Sequence, residues 1–309
     1  MKKASKVSVI MSVYNEKTEW LKQSIESILN QTYANIEFII ILDNPNNFEL
    51  KGVIERYKED ERIKFSINDM NRGLVYSLNK AIKMCTGNYI ARMDADDISL
   101  PNRIEKQITY LFDNNLDIVG SNVINMYPDG KRIYSHYPIT PSEINLFLCN
   151  ANALAHPTWL LKKECYHKVG MYRNIYSNED YDFLLRCKAR KMLIGNIEEP
   201  LLIYRISPNG ITQSNLYKQR LVTNYLAKNQ KTVDKISERD IDGYLKKRYS
   251  EQRNRQFYLA YQFANKSSFQ HSVFKRSYYR IRAILTSFDF FRLNYMPKIL
   301  RRVQKCLHL

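Results

Sequence analysis

Residues 85–97 read Cys85-Thr86-Gly87-Asn88-Tyr89-Ile90-Ala91-Arg92-Met93-Asp94-Ala95-Asp96-Asp97. A helical repeat of Leu74, Leu78, Ala81, Ile82 and Cys85 runs into this stretch, and Gly87 stands at a C′-like position where that helix is expected to stop. Asn88 to Met93 then reads as an apolar strand, and carboxylates follow it directly. The same order is repeated upstream. Val7-Ser-Val-Ile-Met-Ser-Val13 is a short β-rich run, and Leu21, Ile25, Ile28 and Leu29 recur at helical spacing after it. Ile36 to Leu42 is almost uninterruptedly apolar, as expected of a strand covered by helices on both faces. A weaker helix around Ile54 and Tyr57 leads to a third strand, Ile63 to Ile67. This alternation predicts an α/β fold: a doubly wound, mixed and mostly parallel sheet flanked by helices, with right-handed crossovers. Such sheets bind ligands at the carboxyl ends of their strands. That directs attention to Tyr14-Asn15-Glu16, Asp43-Asn44 and Asp94-Ala95-Asp96-Asp97. Further strand pattern follows from Leu116 to Tyr127, and Pro138 and Pro141 break the chain before a short helix around Ile144 to Cys149.

The composition, 44% apolar and 26% charged, is that of a globular chain and excludes wholesale disorder. The 309 residues fit about two domains at ~150 residues each. Five cysteines, odd in number and with no C-x-x-C pair, argue against a disulfide scaffold or a thiolate zinc site and favour a reducing cytosol. No stretch approaches the ~20 apolar residues of a membrane span. Met1-Lys2-Lys3 before the first apolar run imitates a signal peptide, but Ser8 and Ser12 interrupt the run and Asn15-Glu16 follow it, so it reads as a strand. The formal charge of +17 is unevenly placed: residues 1–215 carry 27 basic and 25 acidic groups, residues 216–309 carry 21 and 6. Two domains are therefore expected: a near-neutral catalytic or binding domain over 1–215 and a basic, aromatic-rich helical region over 216–309.

In an extended segment residues i and i+2 project to one side, so Asp94 and Asp96 can face one ligand. Hard carboxylates without His or Cys suit Mg²⁺ or Mn²⁺, above all with a diphosphate completing the coordination. Capping of the helix that opens near Pro101 is the competing use, although capping does not need three acids. A second acidic pair, Glu179-Asp180, follows Asn178, a good N-cap. The pair reads either as first-turn acids or as a general base at a helix start. His156-Pro157-Thr158 precedes a short apolar run, and a lone His there is ordinarily a structural hydrogen-bonding group.

Together these pieces resemble a glycosyltransferase of family 2, with the GT-A fold. The resemblance rests on residues 7–16, Gln31-Thr32-Tyr33, Ile36-Glu37 to Asp43, Asn71-Arg72-Gly73-Leu74, residues 86–97, His156-Pro157-Thr158, Glu179-Asp180-Tyr181-Asp182 and Tyr204-Arg205, in order over roughly residues 5–215. Each motif is weak alone; their ordered co-occurrence is the signal. The resemblance implies a nucleotide-sugar donor, with Tyr14, Glu16 and Asp43 at the nucleoside and Arg72 at base or phosphate. It also implies Asp94 at ribose or metal, and Asp96, with Asp97 as alternative, as the direct ligand of Mn²⁺ or Mg²⁺. The family commonly has Asp-Asp-Gly-Ser after the second strand; this chain has Leu42-Asp43-Asn44-Pro45, which loosens the inference about Asp43 and the donor base. By the same analogy Asp180 is the base that takes the acceptor proton, with Glu179 orienting the acceptor or in the reverse role. Arg205 and the stretch from Ser207 to Ser214 would close over the diphosphate, and His156 would line the acceptor side. A single displacement of this kind inverts the anomeric centre, and uridine diphosphate sugars are the commonest donors by analogy.

Residues 243–309 hold 15 basic and two acidic groups interleaved with 14 Tyr and Phe. Ile299-Leu300-Arg301-Arg302-Val303 reads as a basic amphipathic helix. Such a region suits an anionic membrane surface or a packed helical subdomain with a solvated basic face; nucleic acid comes third. Peripheral attachment at the inner face of the cell membrane would suit a glycan or lipid-linked saccharide acceptor in polysaccharide assembly of the capsule or O-antigen kind. The family's processive synthases carry transmembrane helices and Gln-x-x-Arg-Trp; this chain has neither, which favours transfer of one sugar. A sugar-phosphate nucleotidyltransferase is the rival enzyme reading, but it would need a Gly-rich basic loop where Tyr14-Asn15-Glu16-Lys17 stands. A non-catalytic basic binding protein is the other rival, opposed by the acids at 43, 94, 96 and 180.

Overall fold

β1 (Val7–Val13) and β2 (Ile36–Leu42) are buried along nearly their whole length, as strands covered on both faces must be. The computed structural model describes residues 5–207, 216–268 and 272–294. These fall into two compact units: the described residues of Met1–Asn145, Asn152–Arg173 and Phe183–Pro208, and those of Leu146–Ala151, Asn174–Asp182 and Asn209–Leu309.

In the first unit β1, β2, β3 (Ile63–Ile67) and β4 (Tyr89–Asp94) pair in parallel, β1 lying between β2 and β4. The connecting helices are α1 (Thr18–Leu29), α2 (Phe48–Glu55) and α3 (Leu74–Met84), and α1 turns Leu21, Ile25 and Ile28 onto the sheet. Beyond β4 come β5 (Ile98–Ser99), α4 (Arg103–Asp113), β6 (Ile118–Met126), β7 (Arg132–Ser135), α5 (Pro141–Leu148), β8 (Leu160–Lys162), α6 (Glu164–Val169), α7 (Glu179–Ala189) and β9 (Ile194–Arg205). The nine-stranded order is β3-β2-β1-β4-β8-β6-β9-β5, with β7 on β6. β8 runs antiparallel to both β4 and β6, whereas β6 and β9 are parallel. The fold is α/β with a mixed, mostly parallel sheet.

One buried carboxylate ties the amino-terminal ends of the parallel strands together. Glu37 of β2, 2% exposed, accepts from Ser8 Oγ (2.5 Å), Thr86 N (2.6 Å), Thr86 Oγ1 (2.8 Å) and Lys64 Nζ (2.7 Å), and Lys6 Nζ stands 3.3 Å away. Burial alone would raise its pKa, but the bonds from Lys64, Ser8 and Thr86 outweigh burial and hold the carboxyl well below the ordinary range. Gly87 belongs to this arrangement. It does not take the left-handed conformation expected of a helix-stopping glycine; α3 ends instead with Cys85 extended. Gly87 is required for close approach: a Cβ there would stand 2.6 Å from the Lys6 carbonyl oxygen and 2.8 Å from Ser8 Oγ.

The second unit is helical: α8 (Leu216–Lys228), a 3₁₀ turn Gln230–Lys235, α9 (Glu238–Arg248), α10 (Glu251–Ser268), α11 (Val273–Thr286) and α12 (Phe288–Asn294). Ser237 and Asp240 form a reciprocal capping box at the start of α9. Tyr217, Phe257 and Phe290 make the aromatic centre, with ring centroids 5.0 and 5.3 Å apart along the series. The segments 146–151 and 174–182 join this unit through polar bonds. Tyr181 Oη donates to the Leu148 carbonyl (2.6 Å), Thr223 Oγ1 to Asn178 Oδ1 (2.6 Å) and Gln219 Nε2 to the Ser177 carbonyl (2.8 Å). The sequence pattern of a basic helix around residues 299–303 lies outside the described residues. Among the described residues no helix is long and apolar enough to cross a membrane.

Removing one partner from a buried, charged network costs about 3–5 kcal/mol, so Glu37→Ala is expected to lower unfolding free energy by about that much in denaturant titrations. Because the folded pKa lies below the unfolded one, the stability Glu37 contributes is complete above about pH 4.3 and fades as pH falls below it. The Glu37→Gln variant is therefore expected to show a flatter loss of stability in acid than the parent chain.

Candidate active site

The carboxyl ends of β1, β2, β3 and β4 lie side by side in the sheet, Ser12 in register with Asp94 and with Ile41, and Leu42 with Ile67. The residues just past these ends therefore gather along one edge. Tyr14 is 41% exposed after β1, and the Glu16 carboxylate folds back to accept from the Tyr14 amide at 2.7 Å. Burial pushes the Glu16 carboxyl up, and the charge of Asp94 adds to it.

Asp43 is buried, and both its oxygens are engaged. Oδ1 accepts from Asn68 Nδ2 (2.7 Å) and the Arg72 amide (2.8 Å), and Oδ2 accepts from the Gly73 amide (2.7 Å). It thus brackets the loop between β3 and α3, whose Gly73 takes φ +85°, a conformation that favours glycine. That loop presents Arg72, whose guanidinium grips Asp69 at 2.6 and 2.9 Å and lies 5.7 Å from the Tyr76 ring.

Asp94, Asp96 and Asp97 each place a carboxylate oxygen within 4.8 Å of the others. Burial pushes Asp96 up to about 7, with Asp94 and Glu16 adding, and raises Asp97 well above its ordinary value, with Asp94 and Asp96 adding. Asp97 Oδ1 accepts from the Arg205 amide (2.9 Å), while its buried Oδ2 has no hydrogen-bond partner among the described residues. A concentration of hard oxygen donors with one orphaned buried oxygen fits a divalent cation of the Mg²⁺ or Mn²⁺ kind.

Two residues that the sequence pattern did not single out, Arg92 and Arg103, hold this cluster together with Arg205, which it did. Arg92, buried inside β4, forms an ion pair with Asp94. Arg103 of α4, fully buried, donates to the carbonyls of Arg92 (3.2 Å) and Pro157 (2.7 Å), and burial pulls its pKa down to about 9 against the opposing charge of Asp97. Arg205 donates to the Asp96 carbonyl and to Gln23 Oε1, and its guanidinium lies 5.5 Å from the Trp20 ring. A charged residue in the middle of an apolar strand, as at Arg92, is the signal that was available.

His156 opens a short 3₁₀ turn and is packed into an aromatic box: Nε2 is 2.9 Å from Tyr172 Oη, and the Trp159 centroid is 4.6 Å away. Burial, with the nearby Arg92, holds its pKa well below the usual value, so the ring is neutral near pH 7. In the second unit Glu179 and Asp180 open α7. Glu179 is buried, Asp180 is half-buried, and Asp180 Oδ1 accepts from the Tyr181 amide at 2.6 Å. The stretch expected to close over a diphosphate lies, beyond Ser207, outside the described residues.

The chain matches the family described as glycosyl transferase family 2 over residues 8–176. It is 39% identical over 226 residues to MJ1057 of Methanocaldococcus jannaschii, an uncharacterized glycosyltransferase, covering 72% of this chain and 78% of that one. It is 36% identical over 238 residues to the O-antigen biosynthesis glycosyltransferase WbnJ of Escherichia coli, covering 72% and 92%. In fold it is similar to residues 1–349 of S. aureus TarS, crystallised with UDP-GlcNAc, at a TM-score of 0.59 and 15% identity, covering 91% of this chain and 89% of that one.

Hydrogen bonds to a charged group contribute about 1.5–3 kcal/mol each. Asp43→Asn, which turns one acceptor into a donor facing amide donors, is expected to destabilise the chain by at least that amount. Amide hydrogen exchange should accelerate at Arg72 and Gly73 ahead of the rest of α3.

Proposed function

The chain belongs to glycosyl transferase family 2, and we propose that it moves one sugar, with inversion, from a uridine diphosphate sugar to a hydroxyl of a glycan or lipid-linked saccharide. The observation that carries the reading is the triad Asp94, Asp96 and Asp97 at the end of β4, with an unpartnered buried oxygen on Asp97. Asp96 and Asp94 are the residues to hold Mn²⁺ or Mg²⁺, with Asp97 behind them. A divalent cation bound there supplies Lewis-acid neutralisation of the charge that builds on the departing diphosphate.

The chain's own groups divide the remaining work. Tyr14 and Glu16 receive the nucleoside end of the donor. Asp43 acts through the loop it brackets, setting Arg72 toward base or phosphate. Arg205 fixes the Asp96 backbone and adds a positive charge beside the diphosphate. Asp180 accepts the proton of the acceptor hydroxyl as its oxygen bonds to the anomeric carbon, and the bond from that carbon to the diphosphate oxygen breaks with its electron pair leaving on the nucleotide. One displacement of this kind inverts the anomeric configuration. Glu179 orients the acceptor. His156, buried and neutral, shapes the acceptor side through its aromatic box and does not transfer the proton.

The uridine donor is supported by the complex of TarS with UDP-GlcNAc, and a polysaccharide-type acceptor by WbnJ, whose name places it in O-antigen biosynthesis. A panel of nucleotide sugars assayed with Mn²⁺ tests the proposal. Turnover of one donor is expected, lost on chelation and restored by added metal. Asp180→Asn is expected to reduce it about 10²–10⁴-fold, the usual contribution of a general base. Asp96→Ala should abolish the metal dependence together with turnover. The anomeric proton coupling of the product should report inversion. Unchanged turnover in both variants would remove the site assignment.

A further inference from the structure

The second unit carries an apolar stripe turned to solvent. Along α11 and onto the start of α12, Phe274 is 87% exposed, Tyr278 50%, Ile281 56%, Leu285 78% and Phe288 73%. Phe274, Tyr278, Ile281 and Leu285, spaced by four, three and four, fall within roughly a 60° arc of α11 at ~100° per residue, and Phe288 follows the extended Ser287 at the start of α12. On the opposite face of α11 Ala283 is fully buried, and within α12 Phe290 is nearly so. Internal packing has therefore already been provided, and the outer stripe is surplus to it. Isolated exposed apolar residues are ordinary, but a contiguous row marks an interaction surface.

The surrounding charge identifies the occupant. Arg282 and Lys275 flank the stripe on one side and Arg280 on the other, all exposed. Residues 243–309 contain two acids for 15 bases, and both acids are taken. Asp289 accepts from Tyr217 Oη (2.9 Å) and Arg292 (2.9 Å), with Arg253 at 3.9 Å, and Glu251 accepts from Tyr249 Oη (3.0 Å). The positive charge around the stripe is therefore not balanced from within this part of the chain. An apolar, aromatic-bearing face edged by cations on both flanks matches the boundary between acyl chains and anionic headgroups. It does not match a nucleic acid, which would leave Phe274, Ile281 and Leu285 in water. With no described helix long and apolar enough to span a bilayer, the segment suits lying along one.

We propose that α11 and the start of α12 form a membrane-docking surface, inserting Phe274, Tyr278, Ile281, Leu285 and Phe288 into the interface of an anionic bilayer while Lys275, Arg280 and Arg282 engage its headgroups. This surface shares no residue with the sugar-transfer site and is independent of it. The test is co-sedimentation of the full chain with vesicles of phosphatidylcholine alone and of phosphatidylcholine mixed with phosphatidylglycerol. Binding to the mixed vesicles is expected to exceed binding to neutral ones by about tenfold or more and to weaken with salt. Phe274→Ser combined with Leu285→Ser should lower it about tenfold, and Lys275→Glu with Arg280→Glu should remove the preference for anionic lipid. Both double variants should keep the circular dichroism and the donor turnover of the parent chain, since they change exposed residues outside the sugar site. Equal vesicle binding by the parent and the Phe274→Ser/Leu285→Ser variant would overturn the proposal. So would no binding by the parent, as when another part of the chain covers the stripe. A concentration-dependent dimer abolished by the same variant would also overturn it, assigning the stripe to a second copy.

Discussion

Three carboxylates forced together at the end of a buried strand are the constraint around which the first unit is organised. Two unit charges ~5 Å apart at an effective dielectric of ~20 repel by about 3 kcal/mol, and Asp94, Asp96 and Asp97 make three such pairs. No fold would gather them without compensation. Arg92 meets Asp94 from within β4, and Arg205 holds the Asp96 carbonyl by its guanidinium and Asp97 by its amide. Arg103, deep beneath, fixes the strand carbonyl from which the acids emerge. The compensation is incomplete, as the raised Asp96 and Asp97 carboxyls and the orphaned Asp97 Oδ2 show. That residual imbalance is the physical support for the cation site we propose.

The other end of the same sheet solves the opposite problem. There a single acid, Glu37, is surrounded by more donors than it needs, and its pKa falls. Burial pushes the carboxyls up at both ends; at Glu37 the bonds from Lys64, Ser8 and Thr86 reverse that shift, whereas at Asp96 and Asp97 the neighbouring acids add to it. At Glu37 every charge has a partner and the result is rigidity; at residues 94–97 the Asp97 Oδ2 has none among the described residues. β1 contributes to both ends: its register with β2 places Ser8 opposite Glu37, and its register with β4 places Ser12 opposite Asp94.

The strands and their order of alternation were legible because burial on both faces leaves a nearly unbroken apolar run, as in Ile36–Leu42, which Glu37 alone interrupts. The acids after each strand were legible for the same reason: a carboxylate directly after such a run stands out. What each acid touches was not. Asp43 reads as a residue at the nucleoside; its partners within the chain lie 25, 29 and 30 residues further on, and no local pattern announces bonds of that span. Gly87 was misread because glycine serves two purposes, a left-handed turn or an absence of side chain, and only the neighbouring Lys6 carbonyl distinguishes them. Arg103 was invisible because an arginine in the first turn of an amphipathic helix ordinarily points outward. The membership of residues 174–182 in the second unit depends on hydrogen bonds to side chains more than 40 positions away.

Charge asymmetry acquires a different meaning once the side chains are placed. The near-neutrality of the first unit conceals local extremes: a satisfied buried acid at one end of the sheet and an under-compensated trio at the other. The excess of residues 243–309 is, by contrast, of one sign, and their two acids, Asp289 and Glu251, are engaged by Tyr217 and Tyr249. A cation excess that is neutralised internally would serve folding. One that remains after those acids are engaged, and that edges a row of exposed Phe, Ile and Leu, raises the free energy of the isolated chain through apolar surface left in water and through self-repulsion. A surface that is negative outside and apolar beneath lowers that free energy on both counts, and a lipid interface has both properties in that order.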